Sequence, residues 1–237
     1  MHGEVVLIAG ASGRLGEGVT RAFAREGARI GLVARHAGPL QSLVTELGLP
    51  PERAIWHLAD ASVPAQAAEA VEHVREAFDR IDVLLNLVGA WEGGTRLAEL
   101  KDAQWDEMLA TNLHAAFCLS RAVLQVMLPQ GGGRIIHIGS RAVERPGVGQ
   151  APYNVAKAGL LALTRSIAAD YGADGIRANM ILPATIANPG RHPESAHAKA
   201  RDSVRPEDLA EAMLFLCSSA GNAINGAAIP VYGGRLI

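Results

Sequence analysis

Val5-Val-Leu-Ile-Ala9-Gly10-Ala-Ser-Gly13-Arg-Leu-Gly16 runs from an unbroken apolar stretch into a turn with three glycines. Five apolar residues without alternation describe a strand buried on both faces, as in a parallel sheet covered by helices. Glycines after such a strand let the backbone approach a pyrophosphate and let the next helix pack close to the sheet. The N-terminus of that helix then receives the negative charge. A glycine triplet by itself also serves plain strand-to-helix geometry; its place directly after the first strand is what points to a dinucleotide.

Outward from this turn, short apolar runs alternate with helical patterns. Ala28–Ala34, Ala54–Leu58, Val83–Val88, Arg134–Ile138, Ile176–Leu182 and Ala227–Val231 read as further strands, with Pro230 marking the last as an edge or an early end. Leu15–Glu26, Leu40–Leu47, Ala65–Phe78, Trp105–Met127, Pro152–Tyr171 and Pro206–Ser219 read as helices. Strands separated by helices, with right-handed crossovers, give an α/β doubly wound parallel sheet whose ligand lies at the carboxyl ends of the strands. No repeat or linker divides the chain, so 1–237 is expected to be one domain.

Composition narrows the function. Hydrophobic residues make up 49% but aromatics only 4%, so the core must be aliphatic. A net charge of −2 without a basic block gives no support for nucleic-acid or membrane-surface binding. Cys118 and Cys217 lie in apolar helical patterns and read as buried free thiols of a reducing compartment. No signal peptide is read before the first strand and no apolar run is long enough to span a membrane, which gives a soluble, cytoplasmic expectation.

The chemistry is carried by Tyr153 and Lys157, four apart in Ala151-Pro-Tyr-Asn-Val-Ala-Lys157, with Ser140 thirteen positions before the tyrosine. Residues i and i+4 share a helix face, so the ammonium can stand beside the phenol. A free tyrosine, with a pKa near ~10, is a poor acid or base at neutral pH; a fixed cation beside it is expected to lower that value. A tuned tyrosine joined to a nucleotide site reads as hydride transfer coupled to proton transfer on a carbonyl or alcohol.

Cofactor choice is read at the end of the second strand, where a carboxylate would bind the ribose 2′-hydroxyl of NAD. Between Glu26 and Glu46 there is no acidic residue; Ala34-Arg35-His36 stands there, and Arg14 lies in the glycine turn. Guanidinium groups suit a 2′-phosphate. NADP is therefore favoured, with NAD possible, over a reading of both arginines as solvated surface charges.

With Gly10-Ala-Ser-Gly13-Arg-Leu-Gly16, Asn86-Leu-Val-Gly89, Asn112, Ser140, Tyr153-Asn-Val-Ala-Lys157 and Pro183 in this order, the chain resembles the short-chain dehydrogenases/reductases. The resemblance implies a seven-stranded Rossmann sheet and a homotetramer or homodimer. It implies Tyr153 as general acid/base, Lys157 as its neighbour and ribose ligand, Ser140 as donor to the carbonyl oxygen, and Asn112 at a helix site linking Lys157 to water. It further implies cofactor contacts from Gly10, Ser12, Gly13, Arg14, Leu15 and Gly16, from Asp60 and Ala61 beside the adenine, from Asn86 and Gly89, and from Pro183 and Ile186 near the carboxamide. Departures from the family pattern are Leu87 and Val88 after Asn86, Arg14 for a glycine, Ala184 after Pro183, and Asn188 for a frequent threonine.

The substrate end differs most within the family. A short lid at about 184–205 has no aromatic residue and few apolar anchors, so poor order around Arg191–Arg201 without ligand is expected. The lid and Val88-Gly-Ala-Trp-Glu-Gly-Gly94 look similar to segments of dihydropteridine reductases. Trp91 either stacks on a flat substrate ring or packs its own loop. Arg141, with Arg145, either recognises an acidic substrate group or is plain surface charge. His192 and His197 lack a third ligand of suitable spacing, so no metal is expected. Alternatives within the same chemistry are reduction of 3-oxoacyl thioesters or of a pterin-like ring; from another class, a nucleotide-sensing protein without turnover.

Overall fold

The computed structural model describes residues 1–187 and 203–233. Its strands are β1 (Val5–Ala9), β2 (Arg29–Ala34), β3 (Ala54–Leu58), β4 (Val83–Asn86), β5 (Gly133–Ile138), β6 (Ile176–Pro183), β7 (Thr185–Ile186), β8 (Ser203–Val204) and β9 (Ala228–Val231). Its helices are α1 (Gly16–Arg25), α2 (Ala37–Leu47), α3 (Pro64–Phe78), α4 (Asp102–Leu109), α5 (Ala115–Met127), α6 (Ala151–Tyr171) and α7 (Pro206–Cys217). Seven strands form one parallel sheet in the order β3-β2-β1-β4-β5-β6-β9, a Rossmann fold. The order reverses between β1 and β4, the place where such sheets open a crevice for ligands.

β1 is fully buried along its length because both sheet faces are covered. Val5, Leu7 and Ala9 face a layer with α3, α5 and Ile167 of α6; Val6 and Ile8 face α1, α2 and α7. Phe23 of α1 has no exposed surface, and deleting a buried phenylalanine of this kind costs about 3–5 kcal/mol. Proline opens α3, α6 and α7, where its fixed φ favours a helix start and its missing N–H is not needed. Pro230 lies in β9 at the sheet edge, as a residue without a donor requires.

Val33, Ala9, Asn86, His137, Met180 and Ala228 form one register row across six strands. β1 and β4 end at this row and β5 one residue past it, so Gly10, Gly89 and Ser140 gather at one edge.

Two expectations need correction. The single helix over Trp105–Met127 is two helices joined by a wide turn at Ala110–His114. The cause is local: Asn112 Nδ2 donates to the Met108 carbonyl at 3.1 Å, the group its own backbone N–H would take in an α-helix. The lid segment, expected to carry few apolar anchors, is tied at both described ends, since β7 pairs with β8 and Val204 is fully buried. Residues 188–202, including Arg191–Arg201, His192 and His197, lie outside the described residues.

Candidate active site

At the nucleotide end the turn after β1 is built from backbone. Gly10 has φ +82°, and a Cβ there would stand 2.9 Å from the Leu87 carbonyl carbon. At Gly16 a Cβ would fall 2.2 Å from the Ala11 carbonyl oxygen, so α1 packs on the turn only through glycine. Gly10 and Ala11 both donate to the Val33 carbonyl, whereas the N–H groups of Ser12, Arg14 and Leu15 donate to no backbone carbonyl among the described residues. Free N–H groups at a helix start suit a phosphate.

A cleft of about 170 Å³ opens here, lined by Gly10, Ser12, Gly13, Arg35, Asp60, Ala61 and Gly89 of the expected set. Leu15 is instead buried in the core around α1, and exposed Arg14 does not line the cleft. Asn86 is buried and accepts from Val88 N–H at 3.2 Å, so it shapes the loop beneath the cleft. Pro183 ends β6 and Ile186 sits half-buried in β7, both beyond the cleft lining. Asp60 accepts from the Ser62 hydroxyl at 2.7 Å and from Ser62 N–H at 2.9 Å. The Ser62 bonds and nearby Arg35 hold its carboxyl below the usual range. His36, Ser62 and Thr111 also line the cleft and were missed. An Asp-x-Ser turn was the readable signal for Ser62.

The reacting group lies at the next strand ends. Ser140, two residues past β5, accepts from Ala142 N–H at 3.1 Å, which leaves its own proton free toward the neighbouring Tyr153. Lys157 is buried, donates to the Ile138 carbonyl at 3.0 Å, and stands over the Tyr153 ring, 5.7 Å from its centroid. Asn112 Oδ1 accepts from Ala90 N–H at 3.2 Å. A Cβ on Gly89 would meet Asn112 Oδ1 at 2.9 Å and Lys157 Nζ at 3.2 Å, so Gly89, Asn112 and Lys157 converge on one point. All four expected catalytic residues are thereby brought to one side of the cleft.

The expected lowering of Tyr153 is corrected. Burial pushes its hydroxyl above the ordinary tyrosine value, and the neighbouring Ser140 side chain acts the other way. Burial also lowers Lys157 to about 8, so its charge is itself reluctant. A phenol in this setting keeps its proton at neutral pH, which suits proton donation.

Trp91, in the loop after β4, has 62% of its surface exposed. Its ring abuts Gly93, where a Cβ would come within 2.9 Å of it, and Gly94 N–H donates to the Gly149 carbonyl at 2.9 Å. The Trp91 loop is thus docked on the segment just before α6, beside exposed Val148. Arg141 is exposed and begins a single helical turn after Ser140. Tyr232, after β9, donates to Glu144 at 2.7 Å and is pushed up to about 12 by burial and by that carboxylate. This contact across the strand ends had no sequence signal, because it joins residues 88 positions apart. Both cysteines are buried and free. Among the described residues no group of three or more His, Cys, Asp or Glu side chains could hold a metal ion, and no helix is long and apolar enough to cross a membrane.

Residues 10–235 match the sequence family described as enoyl-(acyl carrier protein) reductase. An A-factor type gamma-butyrolactone 1′-reductase of Streptomyces virginiae is 34% identical, covering 98% of this chain and 95% of its own. A 3-oxoacyl-(acyl-carrier-protein) reductase of Thermotoga maritima is 30% identical, covering 100% and 99%. Among solved structures, a variant actinorhodin polyketide ketoreductase with NADPH superposes with a TM-score of 0.89 at 27% identity, covering 100% of both chains.

Proposed function

Because the chain belongs to the short-chain dehydrogenase/reductase family, we propose that it is an NADP(H)-dependent oxidoreductase acting between a small-molecule carbonyl and the corresponding alcohol, with Tyr153 exchanging the proton. The observation that carries this reading is the convergence of Ser140, Tyr153, Lys157 and Asn112 beside the glycine-built cleft.

The residues present fit the nucleotide. Gly10 leaves space that a Cβ would fill, the turn offers unpaired N–H groups, and Arg35 stands at the cleft end with no carboxylate between Glu26 and Glu46. Arg35 would hold a 2′-phosphate, and Ser12 and Gly13 the pyrophosphate. The reduced nicotinamide supplies the hydride when bound. Ser140 and Tyr153 orient the substrate oxygen, and as that oxygen gains negative charge the Tyr153 proton passes to it. Lys157 places its charge over the ring, stabilising the phenolate left behind. Burial keeps the phenol protonated beforehand, ready to donate when a carbonyl is reduced.

Trp91 and Val148, joined by the docking of the Trp91 loop on Gly149, give an exposed apolar rim, which supports a bulky or flat carbonyl compound as substrate. Arg141 would face an acidic substituent. The apolar depression lined by Leu109, Leu113, Phe117 and Leu163 supports self-association into a homotetramer or homodimer. The test is a panel of ketones, 3-oxoacyl thioesters and quinonoid pterins read by NADPH absorbance. Turnover of at least one, lost in Tyr153→Phe, is the result expected; no oxidation across the panel overturns the reading.

A further inference from the structure

His137 is the last residue but one of β5, has no exposed surface, and takes no part in the chemistry above. Both ring nitrogens are engaged: Ser120 Oγ of α5 lies 3.1 Å from Nε2, and Thr164 Oγ1 of α6 lies 2.8 Å from Nδ1. Ser120 and Thr164 are themselves buried. Thr164 donates its one proton to the Leu160 carbonyl at 2.7 Å. It therefore accepts from His137, which puts the ring proton on Nδ1 and leaves Nε2 to accept from the Ser120 hydroxyl. The chain Ser120 → His137 → Thr164 → Leu160 engages both ring nitrogens of a neutral imidazole.

The next residue along β5 is Ile138, whose carbonyl holds Lys157. On α6, Lys157, Leu160 and Thr164 follow at i, i+3 and i+7 and share one face. Two successive residues of β5 thus grip α6 at points two turns apart, one through Thr164 and one through Lys157. Asn86 and Met180 flank His137 in register and are uncharged; the charge that acts on it is the Lys157 ammonium. Burial, with that ammonium second, lowers His137 to about 3.

We propose that His137 is a positioning residue for the reductive site: as a neutral staple between α5 and α6 it sets the distance at which Lys157, and Tyr153 one turn earlier, stand from the end of β5. This rests on the oxidoreductase reading for its effect on turnover, but not for its effect on Lys157. Without the staple α6 can shift outward, the bond from Nζ to the Ile138 carbonyl lengthens, and water reaches the ammonium.

The decisive measurement is the titration of Lys157 by NMR of lysine labelled at Cε, in a chain whose other lysines are Lys101 and Lys199. In the unaltered protein Lys157 is expected to titrate near 8. His137→Leu should move it upward toward the ordinary lysine value, and His137→Gln, which keeps a donor and an acceptor, should bring it most of the way back. The leucine leaves no orphan, since Thr164 keeps its bond to Leu160 and Ser120 can turn to its own helix. Turnover should follow, with kcat falling about tenfold or more in His137→Leu and recovering in His137→Gln. Where the leucine variant does not fold, Thr164→Val removes one of the two bonds and should shift Lys157 in the same direction by less. A folded His137→Leu or Thr164→Val protein with an unmoved Lys157 titration overturns the proposal. A protein that reduces no carbonyl yet shows the Lys157 shift places the failure in the oxidoreductase reading, not in the staple.

Discussion

Around Gly10 the site is made of backbone, whereas around Trp91 and Val148 it is made of side chains carried on loops. The nucleotide end tolerates no Cβ at Gly10 or Gly16 and offers N–H groups to a ligand of fixed chemistry. The loops around Trp91 and Val148 instead present side chains that are more than half exposed. Backbone recognition suits a partner common to many enzymes, and side-chain recognition suits one that changes from enzyme to enzyme. Between them, Ser140 just past β5 and Tyr153 and Lys157 of α6 stand on elements packed into the core.

If that packed middle carries the chemistry, Tyr153→Phe should have the largest effect of any single change. The ring and its packing remain, and only the transferable proton goes. Loss of ~10²–10⁴ in kcat is expected, with cofactor binding and melting temperature near those of the parent. Near-normal kcat with any substrate would move the acid elsewhere and dissolve the distinction between middle and ends.

Lys157→Met separates chemistry from stability. Lys157 has its folded value lowered to about 8 from an unfolded value of 10.5. Its contribution to stability is therefore most favourable above the unfolded value and is lost as pH falls through about 8, where the ammonium must be buried. The shift corresponds to about 3 kcal/mol as an upper bound. The methionine variant should lose most activity, shift what remains of the pH–rate profile alkaline, and unfold at a higher temperature than the parent at pH 7. A melting temperature lowered at pH 7 would mean that the ammonium stabilises the fold through its bond to the Ile138 carbonyl.

The same contrast explains what was legible in the residues beforehand. β1 and its glycine turn could be read because a run of five apolar residues and three spaced glycines have few other uses. Ser140, Tyr153 and Lys157 could be read as a set because helix spacing alone brings the last two together. The wide turn at Asn112 was hidden: Leu109, Leu113 and Ala116 continue a helical pattern through it, and one side-chain bond to Met108 makes the difference. The two-residue strands at Thr185 and Ser203 fall below any periodic signal. The direction of the Tyr153 shift was misread because spacing shows a neighbouring cation but not the loss of solvent, and solvent loss dominates. The His137 staple and the Tyr232–Glu144 contact depend on register between distant strands, which a linear pattern does not contain.

At the nucleotide end, Arg35→Ala should weaken NADPH and leave NADH nearly unchanged. One charge-assisted hydrogen bond is worth about 1.5–3 kcal/mol, roughly ten- to hundredfold in affinity. Titration by nicotinamide fluorescence measures both cofactors on one protein. An equal loss for the two would assign Arg35 to support of the Asp60 carboxylate, on which its charge acts, and would remove the NADP preference.

The smallest effect is expected where the site is loosest. Trp91 exposes 62% of its surface while its ring rests on Gly93 and its loop is bonded to Gly149, so the indole is held in place with one side available. A flat substrate stacked there would gain about 0.5–1.5 kcal/mol beyond its buried area. The contact is made before and during the reaction alike, so its loss should appear in KM and not in kcat. Trp91→Ala is therefore expected to raise KM for bulky or flat carbonyl compounds by about two- to tenfold, with kcat held within twofold and small aliphatic ketones unaffected. A fall in kcat with KM unchanged would show that the Trp91 loop, through Gly149, positions the start of α6 and thus belongs to the packed middle. KM and kcat indifferent to Trp91 for every ring-bearing substrate would leave the indole as packing for its own loop.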